Sequence, residues 1–214
     1  EIRLSLVGSE MCIRDSPYTL TDDDRTVIGN TTPKFSGGFG LNATFKGFDV
    51  SAFFNFMYDF DVFNANKVMM TTWASNNYNN FSMDISAAKR WRNFDDMGNE
   101  IRYSPEILAE FNKNATMWNP TSIGRPIAMS YAVEDGSFLR LNTATIGYTL
   151  PRAWTNKVGL SRVRFYASGY NLFTITGYSG YDPEVDIATG LTPNIDNNRY
   201  PRSRTYTFGV QLTF

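Results

Sequence analysis

Phe48-Asp-Val-Ser-Ala-Phe-Phe-Asn-Phe-Met-Tyr-Asp-Phe-Asp-Val62 decides the fold. The even positions, Phe48, Val50, Ala52, Phe54, Phe56, Tyr58, Phe60 and Val62, are all apolar or aromatic. The odd positions, Asp49, Ser51, Phe53, Asn55, Met57, Asp59 and Asp61, are mostly polar. A period of two predicts a β-strand with two unlike faces. At about 3.3 Å per residue the run spans roughly 50 Å, far beyond the usual ~5–6-residue strand of a soluble sheet. A strand that crosses a bilayer at a tilt and continues past it has this length.

Residues 205–214 repeat the pattern. Tyr206, Phe208, Val210, Leu212 and Phe214 alternate with Thr205, Thr207, Gly209, Gln211 and Thr213. Three further strands are predicted at about 35–45, 138–150 and 161–173. Lys46-Gly47 makes a tight hairpin between the first of these and Phe48, with Gly supplying positive φ. In 138–150 Leu139 and Leu141 favour one face while Ile146, Tyr148 and Leu150 favour the other, which a bulge between them reconciles. Strand 161–173 sets Val163, Phe165, Ala167 and Gly169 against Arg162, Arg164, Tyr166, Ser168 and Tyr170. The two arginines either line an aqueous interior or pair with acids on a neighbouring strand.

The connections are unequal. Residues 46–47 and 151–160 are short links, whereas 63–137 and 174–204 are long. With strand direction alternating, both short links fall at one end and both long loops at the other. That is the outer-membrane pattern of short periplasmic turns and long external loops. A short helix is expected within Ser82–Phe94, capped by Ser82 or Asp84 and carrying Trp91 on one face.

Composition agrees. Of 214 residues 15% are aromatic and only 19% charged, against about 25% charged in an average protein. The formal net charge of −1 gives no basic field for nucleic acid. The absence of histidine removes His-based triads, His-ligated metals and a His general base. One Cys makes neither an internal disulfide nor a Cys-rich zinc site. Mean hydropathy is −0.32 and no run of about 20 apolar residues predicts a membrane helix.

Candidate sites are few. Asp182, Glu184 and Asp186 invite a Ca²⁺ reading, but the sharp-turn Gly and terminal bidentate Glu of an EF-hand loop are missing, and a solvated turn stiffened by Pro183 is the better reading. Acid pairs such as Asp95 and Asp96, or the run Asp22–Asp24, lack an apolar pocket to raise a carboxyl pKa for glycoside hydrolysis. No enzyme activity, cofactor or metal is expected. Trp73, Tyr78, Trp91, Trp118, Tyr178 and Tyr181 fall in the long loops, where rings stack on sugars, seal against a partner, or simply pack within the loop.

Several segments, in order, resemble the SusC/RagA family of TonB-linked outer-membrane proteins. These are Asp24-Arg-Thr-Val-Ile-Gly-Asn30, Pro33-Lys-Phe-Ser-Gly-Gly-Phe39 and Phe45-Lys-Gly-Phe-Asp-Val-Ser51. Further along come Glu134-Asp-Gly-Ser-Phe-Leu-Arg-Leu141, Ile146-Gly-Tyr-Thr-Leu-Pro151, Tyr170-Asn-Leu-Phe-Thr174, Tyr178-Ser-Gly-Tyr-Asp-Pro-Glu184 and Pro201-Arg-Ser-Arg-Thr-Tyr-Thr-Phe-Gly209. The resemblance covers about residues 17–214. It implies an all-β fold, the last five antiparallel strands of a 22-stranded transmembrane barrel with long external loops. It implies import of oligosaccharide- or peptide-sized nutrients across the cell outer membrane, with a SusD-like surface lipoprotein as lid and a TonB complex acting through an N-terminal plug. It makes Phe214 part of a barrel-insertion signal. Residues 1–16 resemble translated sequencing-adapter read-through, which implies no fold there and a chain that is the C-terminal part of something longer. The competing expectation is a soluble or surface-attached glycan-binding β-sandwich, in which Phe48, Phe54, Phe56 and Phe60 face a core instead of lipid.

Overall fold

Lys46 and Gly47 reverse the chain with φ of 46° and 87°. Positive φ at both central residues is the hairpin turn whose twist matches that of the flanking strands. A side chain at Gly47 would also meet the Thr149 carbonyl at 2.8 Å. From this turn the main sheet is built. The computed structural model describes residues 2–5, 25–73, 80–121, 129–185 and 194–214. In chain order the strands are β1 (Ile2–Ser5), β2 (Arg25–Gly29), β3 (Phe35–Phe45), β4 (Phe48–Tyr58), β5 (Asp61–Asn64), β6 (Val133–Asp135), β7 (Phe138–Thr149), β8 (Arg162–Thr176), β9 (Ile195–Asp196) and β10 (Thr205–Thr213). The helices are α1 (Ala65–Thr71), α2 (Pro105–Asn112) and the single turn α3 (Arg152–Thr155).

Two units divide the chain. The first comprises 31–62, 135–194 and 199–214; the second comprises 1–30, 63–134 and 195–198.

The first unit is a five-stranded antiparallel sheet in the order β10-β8-β7-β4-β3. Its registers put the apolar residues of all five strands on one face. Phe45 lies opposite Phe48, Phe48 opposite Tyr148, Tyr148 opposite Phe165, and Phe165 opposite Val210. A second row runs Ala43, Val50, Ile146, Ala167 and Phe208. The parity conflict in β7 is resolved by a bulge. Phe53 faces Thr143 and Phe54 faces Leu141, so Asn142 is the extra residue. β8 answers with Asn171 in the left-handed region at φ 52°. One inserted residue flips parity, so Leu139 and Leu141 join the face of Ile146 and Tyr148.

Nothing among the described residues covers this face: Phe45, Phe48, Ile146, Phe165 and Phe208 are between 46% and 80% exposed. β3 has eleven residues, which rise about 34 Å and, at a tilt of roughly 40°, cross about 26 Å; the apolar band of an outer-membrane barrel is ~25 Å tall. A sandwich needs a second sheet here, and the described residues supply none.

The run 48–62 is not one strand. β4 stops at Tyr58 because Asp59 takes φ 60°, its N–H donating to Ser137 Oγ at 2.9 Å. Beyond that break Phe60 and Val62 leave the apolar face. They are 2% and 0% exposed, packed with Phe138, Tyr178 and Val185 in a small core.

The second unit has its own core of Phe63, Val68, Ile85, Met117, Trp118, Met129 and Ala132. Asn64 caps α1, accepting from the Lys67 N–H, and Val68 and Thr71 are its buried residues. Phe63 and Asn64 pair in parallel with Ile195 and Asp196. Within Ser82–Phe94 there is only one 3-10 turn, Met83–Ile85, with Ser82 accepting from the Asp84 N–H. The longer helix lies at Pro105–Asn112, where Pro105 fits the first turn because its missing N–H has no partner to lose there. Ile2–Ser5 pairs antiparallel with Arg25–Gly29, so that part of the opening sixteen residues is strand and not the foldless stretch expected.

Candidate functional site

The face opposite the apolar one carries the polar chemistry. Asp49 on β4 and Arg164 on β8 form a bidentate pair, with Nε to Oδ1 at 2.9 Å and Nη2 on Oδ2. They reach each other over β7, the strand between them, a gap of about 10 Å at ~4.8 Å per strand. Gly147 makes this possible. A Cβ there would meet the Asp49 carboxylate oxygens at 2.6 Å. Of the two alternatives for Arg164, lining or pairing, the structure shows pairing, but with an acid two strands away and not on a neighbouring strand. We expect Gly147→Val to splay the pair and cost about 1–3 kcal/mol, as overpacking a filled site does. Asp49→Arg should likewise lower the amount of folded barrel, and Arg164→Asp added to it should restore that amount, read as heat-modifiable protein on gels. No restoration would mean that the pair does not set strand order.

At the other end of the sheet Arg140 on β7 points to the same face, opposite Asn55. Its side chain is 2% exposed. The guanidinium pairs with Asp182 through Nη2, lies 3.7 Å from Glu184 Oε2, and sits 5.4 Å over the Phe138 ring. Glu184 Oε1 in turn accepts from Arg202 at 2.7 Å. Three segments therefore meet: the start of β7, the stretch after β8 and the approach to β10. The solvated-turn reading of Asp182 and Glu184 is corrected here. Both carboxylates are largely buried and hold Arg140. Asp186 lies outside the described residues.

The loop aromatics separate into different environments. Trp118 is buried, donating from Nε1 to the Thr71 carbonyl at 3.1 Å and meeting Tyr131 edge-on. Tyr178 is buried against Phe60, Val62, Phe138 and Val185. Trp91 is half-buried, its backbone N–H donating to the Met117 carbonyl. Trp73 is exposed beside Phe81, and Tyr181 is 84% exposed. Tyr78 lies outside the described residues. Phe214, at the end of the apolar row of β10, is exposed. Burial pushes the Tyr131 phenol up to about 12, helped by Asp84, which accepts its proton at 3.1 Å. Asp84 is itself held below the usual carboxylate range by hydrogen bonds from Ser82 and Tyr131. Asp95 accepts from the N–H groups of Met97 and Asn99, and Asp96 pairs with Arg92. These acids hold a turn together.

Arg140, Arg202, Asp49 and Gly147 were not picked out by sequence reasoning as site residues. The available signal was a lone arginine among apolar residues in Phe138–Leu141, facing an acid pair some forty residues on.

A single-layer antiparallel sheet, bare and apolar outward, polar and ion-paired inward, is a piece of outer-membrane barrel wall. Comparisons with known proteins agree. No family model matches the chain. It is 32% identical to TonB-dependent receptor P3 of Formosa agariphila over 94% of its own length and 18% of that receptor. It is 32% identical to TonB-dependent receptor SusC of Bacteroides thetaiotaomicron over 70% of its length and 15% of that protein. Among solved structures, the RagAB peptide importer in its closed-closed state superposes with a TM-score of 0.70 at 25% identity, covering 92% of this chain and 19% of that one. The chain is homologous to TonB-dependent receptors of the SusC/RagA family and, like them, is an outer-membrane protein. It spans under a fifth of the length of these curated relatives. The relatives are receptors and importers rather than enzymes.

Proposed function

We propose that the chain is the C-terminal barrel segment, residues 17–214, of a TonB-dependent importer for glycan or peptide oligomers that works with a SusD-like surface lipoprotein. The observation that carries this is the continuous apolar face across five strands, backed by a polar face with internal ion pairs. Lipid covers the first, and an aqueous conduit lies along the second. In this reading the segment supplies wall and external loops. Energy coupling belongs to parts of the receptor outside it. Of the six loop aromatics singled out in the sequence, Trp73 and Tyr181 are exposed among the described residues, and these two are placed to meet a substrate or the lipoprotein.

Topology tests it. In a full-length receptor carrying these residues, Met83→Cys, 82% exposed in the longer loop, is expected to react with a membrane-impermeant maleimide on intact cells. Asn156→Cys, exposed in the turn after α3, is expected to react only after the outer membrane is opened. The reverse pattern would invert the orientation, and labelling of both on intact cells would argue against a membrane wall.

A further inference from the structure

The chain leaves β8 at Thr176, beside Phe138 in the register of the sheet, and does not continue away from it. After Gly177 it folds back across the polar face. Tyr178 and Val185 pack on Phe138, and Met57 joins the same cluster. Met57 and Phe138 lie opposite each other on the polar face, one row from Asn55 and Arg140. Asp182 then pairs with Arg140, and Glu184 ties the stretch to Arg202. Internal bonds stiffen the start: Thr176 Oγ1 donates to the Ser137 carbonyl at 2.8 Å, and accepts from the Tyr178 N–H at 3.1 Å. The Asp182 carboxylate also accepts from the Glu184 N–H at 2.9 Å. Tyr181, between these anchors, is left 84% exposed.

We propose that Tyr178–Val185 is a strap folded into the conduit, which narrows its outer mouth and presents Tyr181 to what passes. This rests on the barrel reading above, because only in a barrel does the polar face border a conduit. The buried Arg140 pair makes the strap a fixed part of the wall. It is anchored at Tyr178, Asp182, Glu184 and Val185, and a fixed constriction limits the size of what can enter.

The test uses a full-length receptor on intact cells, with a small membrane-impermeant maleimide and with one carrying a long polyethylene glycol chain. Met97→Cys, 85% exposed in the long loop, is expected to react with both. Tyr181→Cys is expected to react with the small reagent and lose reaction with the bulky one. Adding Asp182→Asn, which weakens the anchor while keeping a similar shape, should bring the bulky reaction back. The strap is overturned if Tyr181→Cys takes the bulky reagent as readily as Met97→Cys does, if it reacts with neither, or if Asp182→Asn changes nothing. If Met97→Cys itself reacts with neither reagent, the outward placement of the long loop fails and the strap falls with it, a result distinct from the others. Heat-modifiable mobility of each variant shows that the barrel has assembled.

Discussion

Arg140→Leu is expected to destabilise the folded receptor by about 3–5 kcal/mol, the usual consequence of removing one partner from a buried ion pair. The size follows from what remains. The Asp182 and Glu184 side chains are only 13% and 15% exposed. Glu184 keeps Arg202, but Asp182 loses the cation it faces. Water cannot replace a guanidinium there without opening the contact of Tyr178 and Val185 with Phe138. The cost is therefore mostly an orphaned carboxylate, and removing that carboxylate should recover it. Arg140→Leu combined with Asp182→Leu is expected to be more stable than Arg140→Leu alone, since replacing both ions by apolar groups is often close to neutral. Urea titrations of the full-length receptor in lipid vesicles measure both variants. A double variant no better than the single one would show that Arg140 acts by packing its stem and ring contact with Phe138, and not by charge.

The difference between the two kinds of contact explains what could be read in advance. Alternation is local. Each of Phe48, Val50 and Ala52 declares its face by parity with its neighbours, and the same holds for Tyr206, Phe208 and Val210. Even the bulge at Asn142 was visible as a clash of parity between Leu141 and Ile146. The break at Asp59 was not, because Asp-Phe-Asp-Val keeps the period while the backbone leaves it. What stops the strand is a hydrogen bond to Ser137, 78 residues on. The same is true of the site. Arg140 and Asp182 are 42 residues apart and Asp49 and Arg164 are 115 apart, so neither pair follows from composition or spacing. Trp118 and Tyr181 look alike as loop aromatics. Tertiary packing sends one to a core and the other to solvent.

Val210→Arg should show the outward face most directly. Val210 lies in the middle of β10 opposite Phe165, 54% exposed between Phe208 and Leu212 of the same apolar row. Phe48, Ile146, Tyr148, Phe165, Phe208 and Val210 line a shallow apolar groove on this face. If lipid fills it, an arginine there costs about 2–4 kcal/mol near the bilayer midplane and little at the interfaces. The inward control has to be chosen with care. Gln211 is the next residue, but it faces Arg164 directly, and like charges on opposed strands repel. Thr207 faces Ser168 instead, with Thr205 and Gly209 beside it on its own strand and Tyr166 and Tyr170 diagonally across, so Thr207→Arg meets no opposed charge. In a full-length receptor, heat-modifiable barrel in the outer membrane is expected to fall steeply for Val210→Arg and stay near the parent level for Thr207→Arg. Equal levels would put the two rows of β10 in the same medium. Loss only at Thr207 would turn the sheet inside out, with Phe45, Phe48, Phe165 and Phe208 facing the conduit.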